Sequence, residues 1–190
     1  MAEHSFPTEM VDLPSKGWFY DSDNPLSSGQ IELKYMTAKE EDILTSTNLI
    51  KKGIVFDRLL QALIVDKKIK YEDILIGDKN AIMVAARILG YGKDYQIQYP
   101  HPDTDELEEV MVDLTKLKDK KINLKEYTKG VNEFEMSLPA SKRVITYKLL
   151  SQRDERIIDA EVKSMKKINP DVDPDITTRL KKTILSVDGD

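Results

Sequence analysis

Within Gln30 to Met36 apolar and polar side chains alternate, with Ile31, Leu33 and Tyr35 against Glu32 and Lys34. The next four residues, Thr37-Ala38-Lys39-Glu40, have the order of a helix capping box. A period of two gathers one set of side chains on a single face only in a strand, so this stretch reads as a half-buried strand. In a capping box the threonine accepts from the amide of Glu40 while the Glu40 carboxylate reaches back to the Thr37 amide, which starts a helix there. Glu40, Glu41 and Asp42 then lie in its first turns, where the positive end of the helix dipole favours acids. A strand that runs directly into a capped helix points to a mixed fold.

The rest of the chain repeats both periods. Phe56, Leu59, Leu60, Leu63 and Ile64 share one broad helical face, which predicts a helix over Ile54 to Val65. A third helix is expected from Asp78, as its amino-terminal cap, through Ile82, Ala85, Ala86 and Leu89 to Gly90 as its stop. Tyr95, Ile97 and Tyr99, a turn at Pro100-His101-Pro102-Asp103, and Val110, Val112 and Leu114 make a hairpin. Phe134, Met136 and Leu138, then Ile145, Tyr147 and Leu149, make a second.

Ser151 caps a long helix holding Ile157, Ile158, Val162 and Met165, which ends before Asn169-Pro170 because proline disfavours helix in the residue before it. The last helix carries Ile176, Leu180 and Ile184 four residues apart with Arg179, Lys181 and Lys182 around them, a narrow stripe suited to docking, followed by the polar ending Val187 to Asp190. The expected class is α+β: an amino-terminal strand and helical lobe, two central β-hairpins and two carboxy-terminal helices. In segments, 1–30 is an extended entry with an aromatic turn, 31–92 the strand plus helical lobe, 93–150 the hairpin lobe and 151–190 the helical end.

Composition narrows the function. Hydrophobic residues are 40% and charged residues 33% of the 190, the balance of a chain that folds on its own. The net charge is −5 and the basic residues are scattered, which argues against nucleic acid or anionic lipid as partners. Lys116, Lys118, Lys120 and Lys121 read as a solvated loop. With no cysteine, disulfides, thiolate ligation and thiol catalysis are excluded, which fits a reducing compartment. Met1 to Asp12 has neither the basic start nor the apolar run of a signal peptide, and no segment approaches bilayer-spanning length. The chain is therefore expected to stay in the cytoplasm where it is made, with no membrane insertion.

Chemistry-bearing residues are sparse. His4 falls in the amino-terminal tail, and His101 with Asp103 and Asp105 reads as a hairpin turn in place of a metal site, since zinc takes three or four ligands. The acids from Asp103 to Glu109 lack the spacing and glycine of a calcium loop. Gly90-Tyr91-Gly92 follows a helix, whereas a phosphate loop opens one. Asp154-Glu155 and Glu40-Glu41-Asp42 resemble the acid pairs of glycoside hydrolysis, but adjacent acids at helix starts ordinarily serve the dipole. No catalytic residue, cofactor or metal is expected. Trp18, Phe19 and Tyr20 are three consecutive aromatics that cannot all enter one core; they are candidate partner anchors, with core packing of one or two as the competing reading.

Leu13-Pro14-Ser15-Lys16-Gly17 with Phe19-Tyr20, then Gly29, a strand, and Met36-Thr37-Ala38-Lys39-Glu40-Glu41-Asp42-Ile43-Leu44 resemble the baseplate hub assembly protein family of T-even-type contractile-tailed phages (myoviruses). Asp113-Leu114, Leu138-Pro139, Leu149-Leu150-Ser151 and Asp154-Glu155 extend the resemblance over most of the chain. It implies a late viral protein that helps assemble the baseplate hub. Its partners would be other tail or hub proteins, the tape-measure protein among them, and an oligomer is compatible with this. It would work in the host cytoplasm and, as a hub subunit, stay in the virion tail; as a chaperone of the tape-measure protein it would be absent from the virion. A hub-associated cell-wall hydrolase is the reading from another class. Some relatives carry paired cysteines at the first hairpin, where this chain has Pro100-His101-Pro102-Asp103, so no zinc is carried over. Family members also run on past the end of this chain, which implies a shortened or alternative carboxy terminus.

Overall fold

A computed structural model describes residues 7–190; His4 lies outside the described residues. The fold is α+β, and the described residues form six α-helices and seven strands in three small antiparallel sheets. The chain makes two compact units that are each discontinuous in sequence. One takes the described residues up to Pro14 with Gln30–Lys67 and Asn80–Asn123; the other takes Ser15–Gly29, Lys68–Lys79 and Leu124–Asp190.

In the first unit, β1 (Thr8–Asp12) pairs with β2 (Gln30–Lys34), Val11 opposite Ile31 and Glu9 opposite Leu33. The entry segment thus contains a strand that the turn-rich sequence around it conceals. Ile31 and Leu33 are buried, as their alternation predicts. At Thr37 the Glu40 carboxylate accepts from the amide at 3.0 Å and from the hydroxyl at 2.6 Å, opening α1 (Ala38–Leu44). A short α2 (Thr47–Lys52) ends on Gly53, and α3 (Val55–Leu63) buries Leu59, Leu60 and Leu63. The Val65 amide then donates to the Glu32 carbonyl at 3.1 Å, which brings the end of α3 back to β2.

Helix α4 (Ile76–Tyr91) contributes to this unit from Asn80 onward and buries Ile82 and Ala86. Gly90 is not its stop. A Cβ there would fall 1.8 Å from the Met36 methyl, so glycine permits a close approach within the helix. The stop is Gly92, at φ +81° with its amide donating to the Ile88 carbonyl at 2.9 Å. The hairpin β3 (Asp94–Pro100) and β4 (Leu107–Asp113) has Tyr95 opposite Val112 and Ile97 opposite Val110.

The second unit is organised by α5 (Gln152–Ile168). Ser151 and Asp154 form its capping box, with the Asp154 carboxylate accepting from the Ser151 amide at 2.9 Å and from Lys148 at 2.8 Å. Ile158 and Val162 are its buried face. The predicted hairpin, β5 (Phe134–Ser137) and β6 (Val144–Tyr147), is joined by a third strand, β7 (Ile184–Val187). This corrects the expected extent of the last helix: α6 spans Asp175–Thr183, and Ile184 lies opposite Tyr147 in the sheet. The polar ending closes on the same strand, since the Asp188 amide donates to the Val144 carbonyl at 2.7 Å and the Asp188 carboxylate accepts from the Val144 amide at 2.9 Å.

A further correction concerns Asp78. It sits inside the first turn of α4, not at its cap, and is 1% exposed. Its carboxylate accepts from the Ser15 amide at 2.9 Å, the Ser15 hydroxyl at 2.7 Å and the Tyr20 hydroxyl at 2.7 Å. A buried carboxylate requires such donors, and here they come from Ser15 in the turn ahead of the aromatic cluster and from Tyr20 within it.

Candidate functional site

The three consecutive aromatics lie within the second unit. Phe19 is buried and meets Tyr127 and Phe134 edge to face, with ring centres 5.7 and 5.2 Å apart, an arrangement the ring quadrupoles favour. Tyr20 is buried on Asp78. Trp18 is half-buried; its indole N–H donates to the Tyr127 carbonyl at 3.0 Å and Lys129 lies over its ring. The backbone folds these residues into a local scaffold through the tight turn at Lys16 and Gly17, both at positive φ.

Helix α6 presents the opposite picture. Its inward side is polar: Thr178 is buried, Arg179 pairs with Glu155, and Lys182 pairs with Glu161 at 2.7 Å, all on the side that packs on α5. Its apolar residues point outward, Ile176 at 72% and Leu180 at 50% exposure. An ordinary surface helix has the reverse arrangement. The sequence stripe is therefore split, with Ile176 and Leu180 on the outer face of α6 and Ile184 in β7.

The acidic pairs serve the backbone and neighbouring cations. Burial pushes the Asp154 carboxyl up, but Lys148 and Ser151 outweigh it and hold it below its ordinary value. Glu155 is bound to Arg179, and Glu41 accepts from the Tyr91 hydroxyl at 3.2 Å. His101 accepts the Asp103 amide at 3.2 Å within its turn. Among the described residues, no group of three or more histidines and acids is placed to hold a metal ion, and no helix is long and apolar enough to cross a membrane.

One surface lies outside the partner-binding candidates read from the sequence. In the first unit, an open hollow of about 320 Å³ lies between α1, α3 and α4, lined by Met36, Phe56, Leu60, Met83, Arg87 and Tyr95 among others. Arg87 spreads over the rings of Tyr91 and Tyr95, at 5.0 and 5.5 Å from their centres, and donates to the Gly92 carbonyl at 3.0 Å and the Asp94 carbonyl at 3.4 Å. Phe56, Tyr91 and Tyr95 remain exposed at its rim. The wall is apolar and includes two methionines, whose flexible thioethers adapt to different shapes. A signal was present in α4: Ala81 to Ala86 is apolar at every position, more than one buried face needs.

No protein-family model matches the chain, and neither a curated protein nor a solved structure matches it.

Proposed function

We propose that this is a non-catalytic phage tail protein needed for assembly of the baseplate hub, acting by binding other proteins. The observation that carries the binding role is the open, methionine-lined hollow of the first unit with Phe56, Tyr91 and Tyr95 exposed around it. Exposed aromatic and apolar side chains grouped round a concavity are what a partner's anchor residues fill. The viral setting rests on the amino-terminal pattern from Leu13 to Leu44. A non-catalytic role is supported by the engagement of Asp154 and Glu155 in a helix cap and an ion pair.

The partners are other hub proteins or the tape-measure protein, met in the host cytoplasm. The net charge of −5 gives no support to nucleic acid. Mass spectrometry of purified particles, with a pull-down from infected cells by the wild-type chain and by Phe56→Glu, tests the proposal. Hub proteins captured by the wild type and lost with Phe56→Glu are expected. Fixed stoichiometry in particles identifies a hub subunit, and absence from particles with capture of the tape-measure protein identifies a chaperone. Capture of no tail protein overturns the reading.

A further inference from the structure

We propose that the apolar face of the β3–β4 hairpin binds an amphipathic helix of a partner protein, basic at the end that passes over the hairpin turn. This surface is distinct from the hollow, with which it shares Tyr95, and the inference does not depend on the phage reading. Opposed residues of an antiparallel pair lie on one face, so Tyr95 with Val112, Ile97 with Val110 and Tyr99 with Glu108 make a single side of the ribbon. Tyr95, Tyr99 and Val110 are exposed on it, and no third strand joins the pair. The opposite side is closed by its own hydrogen bonds, Gln96 and Gln98 donating to Glu109 at 2.8 and 2.6 Å. A two-stranded ribbon is marginal by itself and gains stability when a helix covers its apolar side.

Charge and size set the chemistry of the occupant. From Asp94 to Thr115 the chain has seven acidic residues and no lysine or arginine. Asp113, at the base of the hairpin, pairs with Lys93 at 3.2 Å. Toward the turn the acids have no such match: Glu108 accepts from the Tyr99 hydroxyl and Glu109 from the two glutamines, all neutral donors. Among the described residues no cation pairs with Asp103, Asp105 or Glu106. The face therefore runs from apolar at Tyr95 and Val112 to negative at Glu108 and the turn. That order repels nucleic acid and anionic lipid, and it attracts lysine or arginine at one end of a partner whose remaining contacts are apolar. Two strands about 4.8 Å apart make a ribbon roughly one helix wide, and seven residues of strand, about 23 Å, match about 15 residues of helix.

The test titrates the full chain with a synthetic peptide of about 15 leucines and lysines whose leucines share one helical face, followed by calorimetry and by amide shifts. Binding is expected with shifts centred on β3 and β4, and a peptide of the same composition in scrambled order is expected to bind at least tenfold more weakly. Asp103→Asn with Asp105→Asn and Glu106→Gln should weaken binding at least fivefold at low salt; asparagine accepts the positive φ at position 105, so the turn is kept. Tyr99→Gln with Val110→Gln should weaken it at least tenfold. Phe56→Glu, which disables the hollow, should leave it within twofold, so this surface and the hollow fail or succeed separately. No binding, equal binding of the scrambled peptide, shifts centred away from the hairpin, or loss of binding in Phe56→Glu would overturn the proposal. The peptide pair and the shifts use the wild-type chain and decide the matter should a variant fail to fold.

Discussion

The Tyr20 hydroxyl donates to the buried Asp78 carboxylate at 2.7 Å while accepting from the Leu75 amide at 2.9 Å. Burial, reinforced by Asp78, pushes the tyrosine well above its ordinary value, so it remains the donor throughout the physiological range. Tyr20→Phe strands the Leu75 amide and takes one of three donors from Asp78. We expect it to cost about 1–3 kcal/mol, and Asp78→Ala to cost more because three donors lose their acceptor. Urea denaturation of the two variants beside the wild type measures both; a Tyr20→Phe chain as stable as the wild type would refute the account.

Glu40 predicts a response to acid. Burial pushes its carboxyl up, but hydrogen bonds from Lys34 at 2.7 Å and from Thr37 outweigh that and bring the pKa from 4.5 down to about 2. A carboxyl depressed in the folded state stabilises fully above its unfolded pKa and ceases to do so as pH falls through the folded one. Glu40→Ala is therefore expected to cost about 2 kcal/mol at pH 7 through the lost cap and ion pair. The gap to the wild type should close between about pH 4.5 and 2. Urea midpoints followed against pH show whether it does.

Two glycines with nearly the same backbone angle should respond differently to alanine. Gly17 has φ +70°, and an added Cβ would lie 2.5 Å from the Gly29 nitrogen and the Ser27 carbonyl oxygen; Gly53 has φ +68° with open space around it. Gly53→Ala carries only the left-handed strain, roughly 1 kcal/mol. Gly17→Ala adds a clash with backbone and is expected to cost about 3 kcal/mol or more. Thermal melts of the pair separate strain from space.

Phe56→Glu tests the hollow. The ring is 54% exposed, so the charge is accepted in water and stability should change by no more than about 0.5 kcal/mol. Co-purification of tail partners should fall by tenfold or more, since aromatic anchors dominate interfaces. A variant that folds and still captures partners at wild-type level would remove the hollow from the binding role.

Local signals were legible and distant pairings were not. Capping at Thr37 and Ser151, alternation at Ile31 and Leu33 and the two hairpins each depend on residues within a few positions of one another, where backbone geometry leaves few choices. The strands β1 and β7 were missed because each is short, and its partner lies far along the chain or beyond a helix. The aromatic cluster was recognised, but nothing near Trp18 in sequence announces that Tyr127 takes its indole N–H from 109 residues away.

By itself the sequence determined the α+β class, the starts of α1 and α5 and the apolar stripe at Ile176 and Leu180, because propensity, capping and periodicity are local properties. Only the tertiary structure decided which way those elements face. Glu155 and Glu161 hold Arg179 and Lys182 inward and so turn the apolar side of α6 outward. Ser15 and Tyr20 convert Asp78 from a helix cap into a buried acceptor. A buried carboxylate such as Asp78 must meet donors wherever the chain brings them, and the partly exposed cations of α6 find their acids only where α5 packs beside them; neither set of partners is near in sequence, so local preference does not announce them.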